Sequence, residues 1–194
     1  VYKRQMNIRE ELNFEFSRQP HNAEMADDAV LERYIRVAEG YAEIENVLAV
    51  LSDLHTNKSY VVQSRFSDIV DIDKEKCSGW IPTIWEDDIF KAVNSDDIEM
   101  KMLQELLFFH YISGLSKSRR FNQCLMQRLR MRSRHGEWVE ALHRLYYIPA
   151  EDGKTIRFAL CLYGAMTSNL KSDSIVIDTL TGQTTELNRS VGIK

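Results

Sequence analysis

The sequence predicts an α+β domain built on about five antiparallel strands. Three observations predict it. An apolar stripe of helical period runs through residues 30–48, three strand-like segments occupy residues 121–166, and the turns between strand candidates are too short for anything but antiparallel return. The 194 residues, 44% of them hydrophobic, suit one domain of ordinary size with extensions. The expected division is an N-terminal arm over 1–27, the domain over 28–168 and a linker segment over 169–194.

Residues 1–23 are polar and mixed, with Leu12, Phe14 and Phe16 as their main apolar content and Pro20 as an interruption, and they read as a weakly structured arm. From Asp28 the pattern sharpens. Val30, Tyr34, Val37, Tyr41, Ile44 and Leu48 recur at spacings of 4, 3, 4, 3 and 4, the stripe of an amphipathic helix. That stripe suits packing on the domain's own sheet or a short coiled-coil seam with a second copy.

The run Val47–Leu51 is too apolar for a strand with one wet face, which predicts a central strand covered on both sides. "HTNK" supplies turn chemistry and "SYVVQ" a second strand, so residues 46–63 read as a hairpin. "SRFSDIVDI" reads as a short helix, and a second short helix is expected over 85–93. Ser95 or Asp96 then caps a longer helix reaching Ser113, with Ile98, Met102, Leu106, Phe109 and Ile112 inward and Gly114 as its stop.

Strands are expected over about 121–133, 138–148 and 155–166. In the last, Ile156, Phe158, Leu160 and Leu162 alternate with Arg157, Ala159, Cys161 and Tyr163, so one face is the more apolar. "PAEDGK" is a turn by composition. A tight His135-Gly136 turn would set Arg134 opposite Glu137, Arg132 opposite Val139 and Arg130 opposite Ala141.

The order helix, two strands, helices, three strands resembles the PAS order, and several stretches extend the resemblance. "LSDLHTNKSYVVQSRFSDIVDI" resembles the opening PAS hairpin with its following helix. "WEDDIFKAV" looks like the segment where that family turns into a helix, and "QRLRMRSRHGEWVEALHRLYYI" resembles its long hairpin. Beyond the domain, "SIVIDTLTGQTTEL" resembles the segment joining a PAS-like sensor to a helix-turn-helix in Bacteroidetes-type LuxR-like regulators. The resemblance implies a five-stranded antiparallel sheet with helices on one face and an N-terminal flanking helix. It implies a non-enzymatic sensory and dimerisation module whose output domain lies after Lys194. Two departures stand out: Gln63 occupies a position where many PAS domains carry Asn, and the helix over 97–113 with its "SGLSKSRR" tail enlarges the central region.

Composition and motifs narrow the chemistry. A net charge of −4 argues against a domain whose overall field attracts nucleic acid, so DNA contact is expected only through a C-terminal domain. Cys77, Cys124 and Cys161 form no CxxC pair, and reduced cysteines in a cytoplasm are the simpler expectation. No apolar run is long enough to cross a bilayer as a helix. There is no GxSxG, HExxH, P-loop or GxGxxG, and the acidic residues at 86–88 and 95–97 suit helix starts, so no catalytic residue and no metal site is expected.

The PAS resemblance raises two cofactor questions. A haem-binding relative would need an axial histidine, for which His110 is the candidate, and a photoactive flavin relative a reactive cysteine, for which Cys77 is in the right region without the motif. Local packing explains both residues, and no cofactor is expected.

The expected ligand contacts are Trp85, Phe109, Leu129, Leu142, Phe158 and Leu160, with Trp80, Trp138 and Tyr146 as further aromatic candidates for a pocket between sheet and helices. Arg128, Arg130 and Arg132, at i, i+2 and i+4 with Arg134, share a strand face. They are candidates for an acidic partner or anion, set against the plainer reading of a solvated hairpin face. Expected partners are a second copy of the chain and a small effector. Two alternatives are a small α+β cavity protein, enzyme or carrier, and a protein-protein adaptor with no pocket. For an enzyme the nearest acid-base pair would be His143 and Glu140, which point to opposite sides of their strand.

Overall fold

The computed structural model describes residues 7–20, 28–167 and 169–188. In chain order the elements are α1 (Ile8–Ser17), α2 (Asp28–Glu45), β1 (Leu48–Asp53), β2 (Lys58–Val62), α3 (Phe66–Ile69), β3 (Gly79–Ile81) and α4 (Asp87–Phe90). They continue with α5 (Ser95–Ser113), α6 (Lys117–Arg120), β4 (Gln123–Arg132), β5 (Trp138–Pro149), β6 (Ile156–Ala165), β7 (Ser174–Asp178) and β8 (Thr184–Thr185).

All strands join one antiparallel sheet in the order β3-β2-β1-β6-β5-β4-β7-β8. The expected five strands are the five from β2 to β4, and the sheet is extended to eight. β3 pairs with β2 at one edge. At the other, β7 pairs with β4 and β8 with β7, so residues 174–185, read from sequence within a departing linker, add to the sheet instead. Residues 189–194 of that expected linker lie outside the described residues.

β1 is buried along its whole length because it lies between β2 and β6 with helices on both sides. On one face α2 covers Ala49, Leu51, Phe158, Leu160 and Leu162. On the other, α3, α4 and α5 cover Leu48, Val50, Leu125, Leu129, Leu145 and Ala159.

Residues 8–17 correct the expectation of a weakly structured arm. Asn7 and Glu10 form a reciprocal capping box: the Asn7 side chain accepts from the Glu10 N–H, and the Glu10 carboxylate accepts from the Asn7 N–H. The helix docks along α5 through Leu12, which is 1% exposed, and Phe16, whose ring meets Phe109 edge-on at 5.4 Å. Gln19 then pairs with both backbone groups of Ile156, donating to its carbonyl at 3.1 Å and accepting from its N–H at 2.7 Å. The arm's residues 1–6 and 21–27 lie outside the described residues.

The β4–β5 register differs by one from the expectation. Arg132 faces Trp138, Arg130 faces Glu140 and Arg128 faces Leu142. The turn is longer than a two-residue hairpin: Ser133 N–H bonds the Glu137 carbonyl at 2.7 Å, and the Ser133 hydroxyl accepts from His135 and Glu137 N–H. Gly136 takes φ +85°, which a side chain would resist.

Candidate functional site

α5 decides what lies between sheet and helices. Its cap is Asn94, whose side chain accepts from Asp96 N–H, one position before the expected Ser95. One buried stripe of α5 is Lys101, Glu105, Phe108 and Ile112, at spacings of 4, 3 and 4. Leu106, Phe109 and Ile112 of the expected stripe are buried, but the charged pair is buried beside them.

Lys101, 1% exposed, is ion-paired with Glu105. Around this pair stand His143 from β5, Cys161 and Tyr163 from β6, and Glu86 from the turn before α4. Strand alternation puts His143, Cys161 and Tyr163 on the same sheet face as Ala141, Leu145 and Ala159. Tyr163 donates its hydroxyl proton to Glu86, and Tyr147 donates to the Glu105 backbone carbonyl at 3.4 Å.

Burial sets the protonation of this cluster. It pushes the Glu86 carboxyl up, against the pull of Lys101 and the Tyr163 hydroxyl. It pushes the Cys161 thiol and the Tyr163 phenol well up, with Glu86 adding to both. Burial alone would lower Lys101, but the Glu105 and Glu86 carboxylates overcome it and hold the ammonium above its ordinary value. His143 is lowered well below the usual imidazole value by burial, then by Lys101 and Arg144, so its ring is neutral at pH 7.

A neutral imidazole has one N–H and one lone pair. His143 Nδ1 lies 3.1 Å from Gln127 Oε1, an acceptor, which places the proton on Nδ1 and the lone pair on Nε2. Nε2 has no hydrogen-bond partner among the described residues, although the side chain is wholly buried. It faces Glu105 Oε1 at 4.0 Å, and one ligand atom each of Glu105, His143 and Cys161 lie within 4.8 Å of one another. Among the described residues these three are the group that could hold a metal ion.

A cavity of about 40 Å³ adjoins the cluster, lined by Glu86, Lys101, Glu105 and Cys161 with Leu12 and Trp85 on its outer side. It has room for about three waters and is far below the size of an organic effector's pocket. The interior is filled by its own aromatic rings: Phe108 stacks on Tyr147 at 5.3 Å and Phe109 meets the same ring edge-on at 5.7 Å. α1 closes the outside. Arg9 lies over the Trp85 ring at 4.4 Å and pairs with Asp87, and Trp85 Nε1 donates to Asn13.

The expected ligand residues do not line one pocket. Trp85, Phe109 and Leu129 lie on the α5 side of the sheet. Phe158 and Leu160 lie under α2, and Leu142 shares their face with Tyr146 and Ile148. The period-2 rule separates the two sets, since positions 142, 158 and 160 point away from 143, 161 and 163. Trp80 and Trp138 are exposed.

The arginine row does lie on one face, backed by buried Leu125, Leu129 and Met131, but each member already has a partner within the chain. Arg130 pairs with Asp97 at 2.8 Å, Arg132 with Asp71 at 2.8 Å and Arg128 with Glu140 at 3.4 Å. Arg134 donates to the backbone carbonyls of Ser67, Asp68 and Ile72.

Other expectations resolve locally. His110 faces Glu15 of α1 at 3.7 Å, away from the cluster. Gln63 donates to the Lys74 and Cys77 carbonyls and so braces a loop. His143 and Glu140 diverge as expected, but His143 meets Glu105 of α5, a partner on another element.

No family model and no curated protein matches the chain. A similar solved structure is a sensory box histidine kinase/response regulator from Burkholderia thailandensis E264. It is 9% identical, with a TM-score of 0.43, and the match covers 66% of this chain and 82% of that one. No helix among the described residues is long and apolar enough to cross a membrane.

Proposed function

We propose that the chain is a non-enzymatic PAS-like sensory module, that the buried Glu86, Lys101, Glu105, His143, Cys161 and Tyr163 cluster is its sensing site, and that its output is a DNA-binding domain of LuxR-like type. The observation that carries this reading is His143 Nε2, buried, without a hydrogen-bond partner among the described residues and 4.0 Å from Glu105 Oε1. A buried polar atom left without a partner costs about 1–3 kcal/mol, which an incoming ligand group recovers. The antiparallel run β2-β1-β6-β5-β4 with helices inserted between β2 and β4 supports the PAS-like part. The LuxR-like part rests on the resemblance of residues 174–187 alone.

Arg144 follows His143 on β5 and is ion-paired with Glu45 at the end of α2. Adjacent strand residues point to opposite faces, so a displacement of β5 at His143 reaches α2 through this pair. The ligand would act by binding one arrangement of α2 more tightly than another. α2 leaves Val37 and Ile44 exposed, and that edge is the proposed homodimer contact, read by the chain's mass in solution.

The test is a thermal-shift and calorimetric screen of small polar solutes and ions against wild type and His143→Gln. A stabilising binder whose effect disappears in the variant is the expected result. Binding that ignores the variant, or no binder at all, sinks the reading. The cavity's small volume, about 40 Å³, favours one rival, an adaptor without a ligand, and the second outcome would select it.

A further inference from the structure

We infer that Glu105, His143 and Cys161 form a binding site for one borderline-soft divalent ion of the zinc class. The inference takes its biological role from the sensing reading above, but its coordination chemistry stands independently. Three observations on different elements carry it. An imidazole nitrogen, a thiol sulfur and a carboxylate oxygen, from β5, β6 and α5, converge within 4.8 Å, and this mixed set is what zinc takes in preference to harder ions.

The imidazole presents an unpartnered buried lone pair to the other two groups. Its other nitrogen is engaged by Gln127 Oε1 at 3.1 Å, and an acceptor on the far ring nitrogen is the arrangement that orients metal-ligating histidines. Gln127 is thus the positioning residue of the site.

Size points the same way. The adjoining cavity admits about three waters, so it suits an ion with a water ligand and excludes a larger effector. Donor pairs in a tetrahedral zinc site stand roughly 3.3–3.8 Å apart, so the cluster must contract by about 1 Å to close on the ion. On binding, bonds form from the metal to His143 Nε2, Glu105 carboxylate oxygen and Cys161 Sγ. The thiol proton leaves to solvent, and no electron is transferred. Lys101 gives up part of its contact with Glu105 and remains within the field of Glu86.

The experiment uses the full chain. Zinc affinity and stoichiometry are measured by competition with a chromophoric chelator, and cobalt(II) serves as the spectroscopic probe. One zinc per chain is expected, with thiolate-to-cobalt charge-transfer absorption in the near ultraviolet. Cys161→Ala and His143→Gln each weaken binding by at least about 10–100-fold, the loss typical even of an outer-shell change, and Gln127→Leu by about 10-fold.

Cys161→Ala also removes the charge-transfer band, whereas Cys77→Ala and Cys124→Ala keep it. Folded wild type without stoichiometric zinc overturns the inference, as does zinc bound equally by the Cys161 and His143 variants. An organic binder that depends on His143 without zinc would keep the sensing reading and overturn the metal. Zinc bound at this site with no change in association or output would keep the metal and overturn the sensing role.

Discussion

Replacing Lys101 with Met tests whether the ion pair at the centre of the domain is as buried as the geometry makes it. Lys101 is 1% exposed and Glu105 8%, on adjacent turns of α5. Met keeps the length of the aliphatic stem but not the ammonium that approaches the Phe90 ring to 4.7 Å. What disappears is the charge, leaving Glu105 beside a neutral imidazole and a protonated thiol. Breaking a buried pair from one side costs about 3–5 kcal/mol, because the survivor keeps its desolvation penalty without its partner.

For a domain of this length each kcal/mol lowers Tm by about 2–4 °C, so the single variant should melt roughly 6–20 °C below wild type. Lys101→Met with Glu105→Leu removes both charges and should return to within about 1 kcal/mol of wild type. Urea denaturation at pH 7 of both single variants and the double completes the cycle. A cost below about 1 kcal/mol for Lys101→Met would refute the burial, since exposed pairs are worth that little. A double variant no better than the single would refute the coupling.

Three further outcomes follow from the same packing. Leu12→Ala should cost about 2–5 kcal/mol in chemical denaturation, because Leu12 is fully buried beneath α1; a change near zero would mean that α1 is not part of the domain in solution. At Gly164 an added Cβ would sit 2.7 Å from Val47 Cγ1, and the β-branched valine has little freedom to yield, so Gly164→Ala should cost about 1–3 kcal/mol by calorimetry. His143 has a depressed folded-state pKa, so its contribution to stability is fully present above the unfolded value near 6.5 and is lost as pH falls through the folded value. The slope should approach about 1.4 kcal/mol per pH unit in that window and flatten in His143→Gln, and equal slopes in the two proteins would discard the assignment.

The sheet's central strands were legible because their signals are local. Val47–Leu51 could only be a strand covered on both sides, and it is β1, between β2 and β6. Alternation in 155–166 located β6 to within a residue at each end. α1 was hidden for a different reason: it buries chiefly Leu12, and its start is marked by Asn7 and Glu10, a capping box that polar composition conceals. β7 and β8 were hidden because a five-residue strand paired with β4 and a two-residue strand paired with β7 take their places from those partners, which no local pattern announces.

The site was illegible at one specific point. Lys101 and Glu105 stand at i, i+4, the spacing of an ordinary solvated helix pair, and sequence offers no mark that separates a wet pair from a dry one. The discriminating information sits on another element, in the weaker face of β6. Arg157, Ala159, Cys161 and Tyr163 read as the less apolar side because Ile156, Phe158, Leu160 and Leu162 opposite are bulkier. Both faces are in fact covered, the bulky one by α2, whose small Ala38 and Ala42 sit against it.

The other face carries Ala159 and Cys161, small enough for α5 to approach with long polar side chains, and Tyr163 supplies a hydroxyl to meet Glu86. A strand with two unequal apolar faces is therefore a two-sided strand whose smaller face awaits a helix. β6 is covered on both sides as β1 is, and the α5 residues set against its smaller face include the polar pair Lys101 and Glu105. His143, opposite Tyr163 on the neighbouring strand, faces Glu105 for the same reason: the smaller side chains of that face leave α5 room to bring a carboxylate to the sheet.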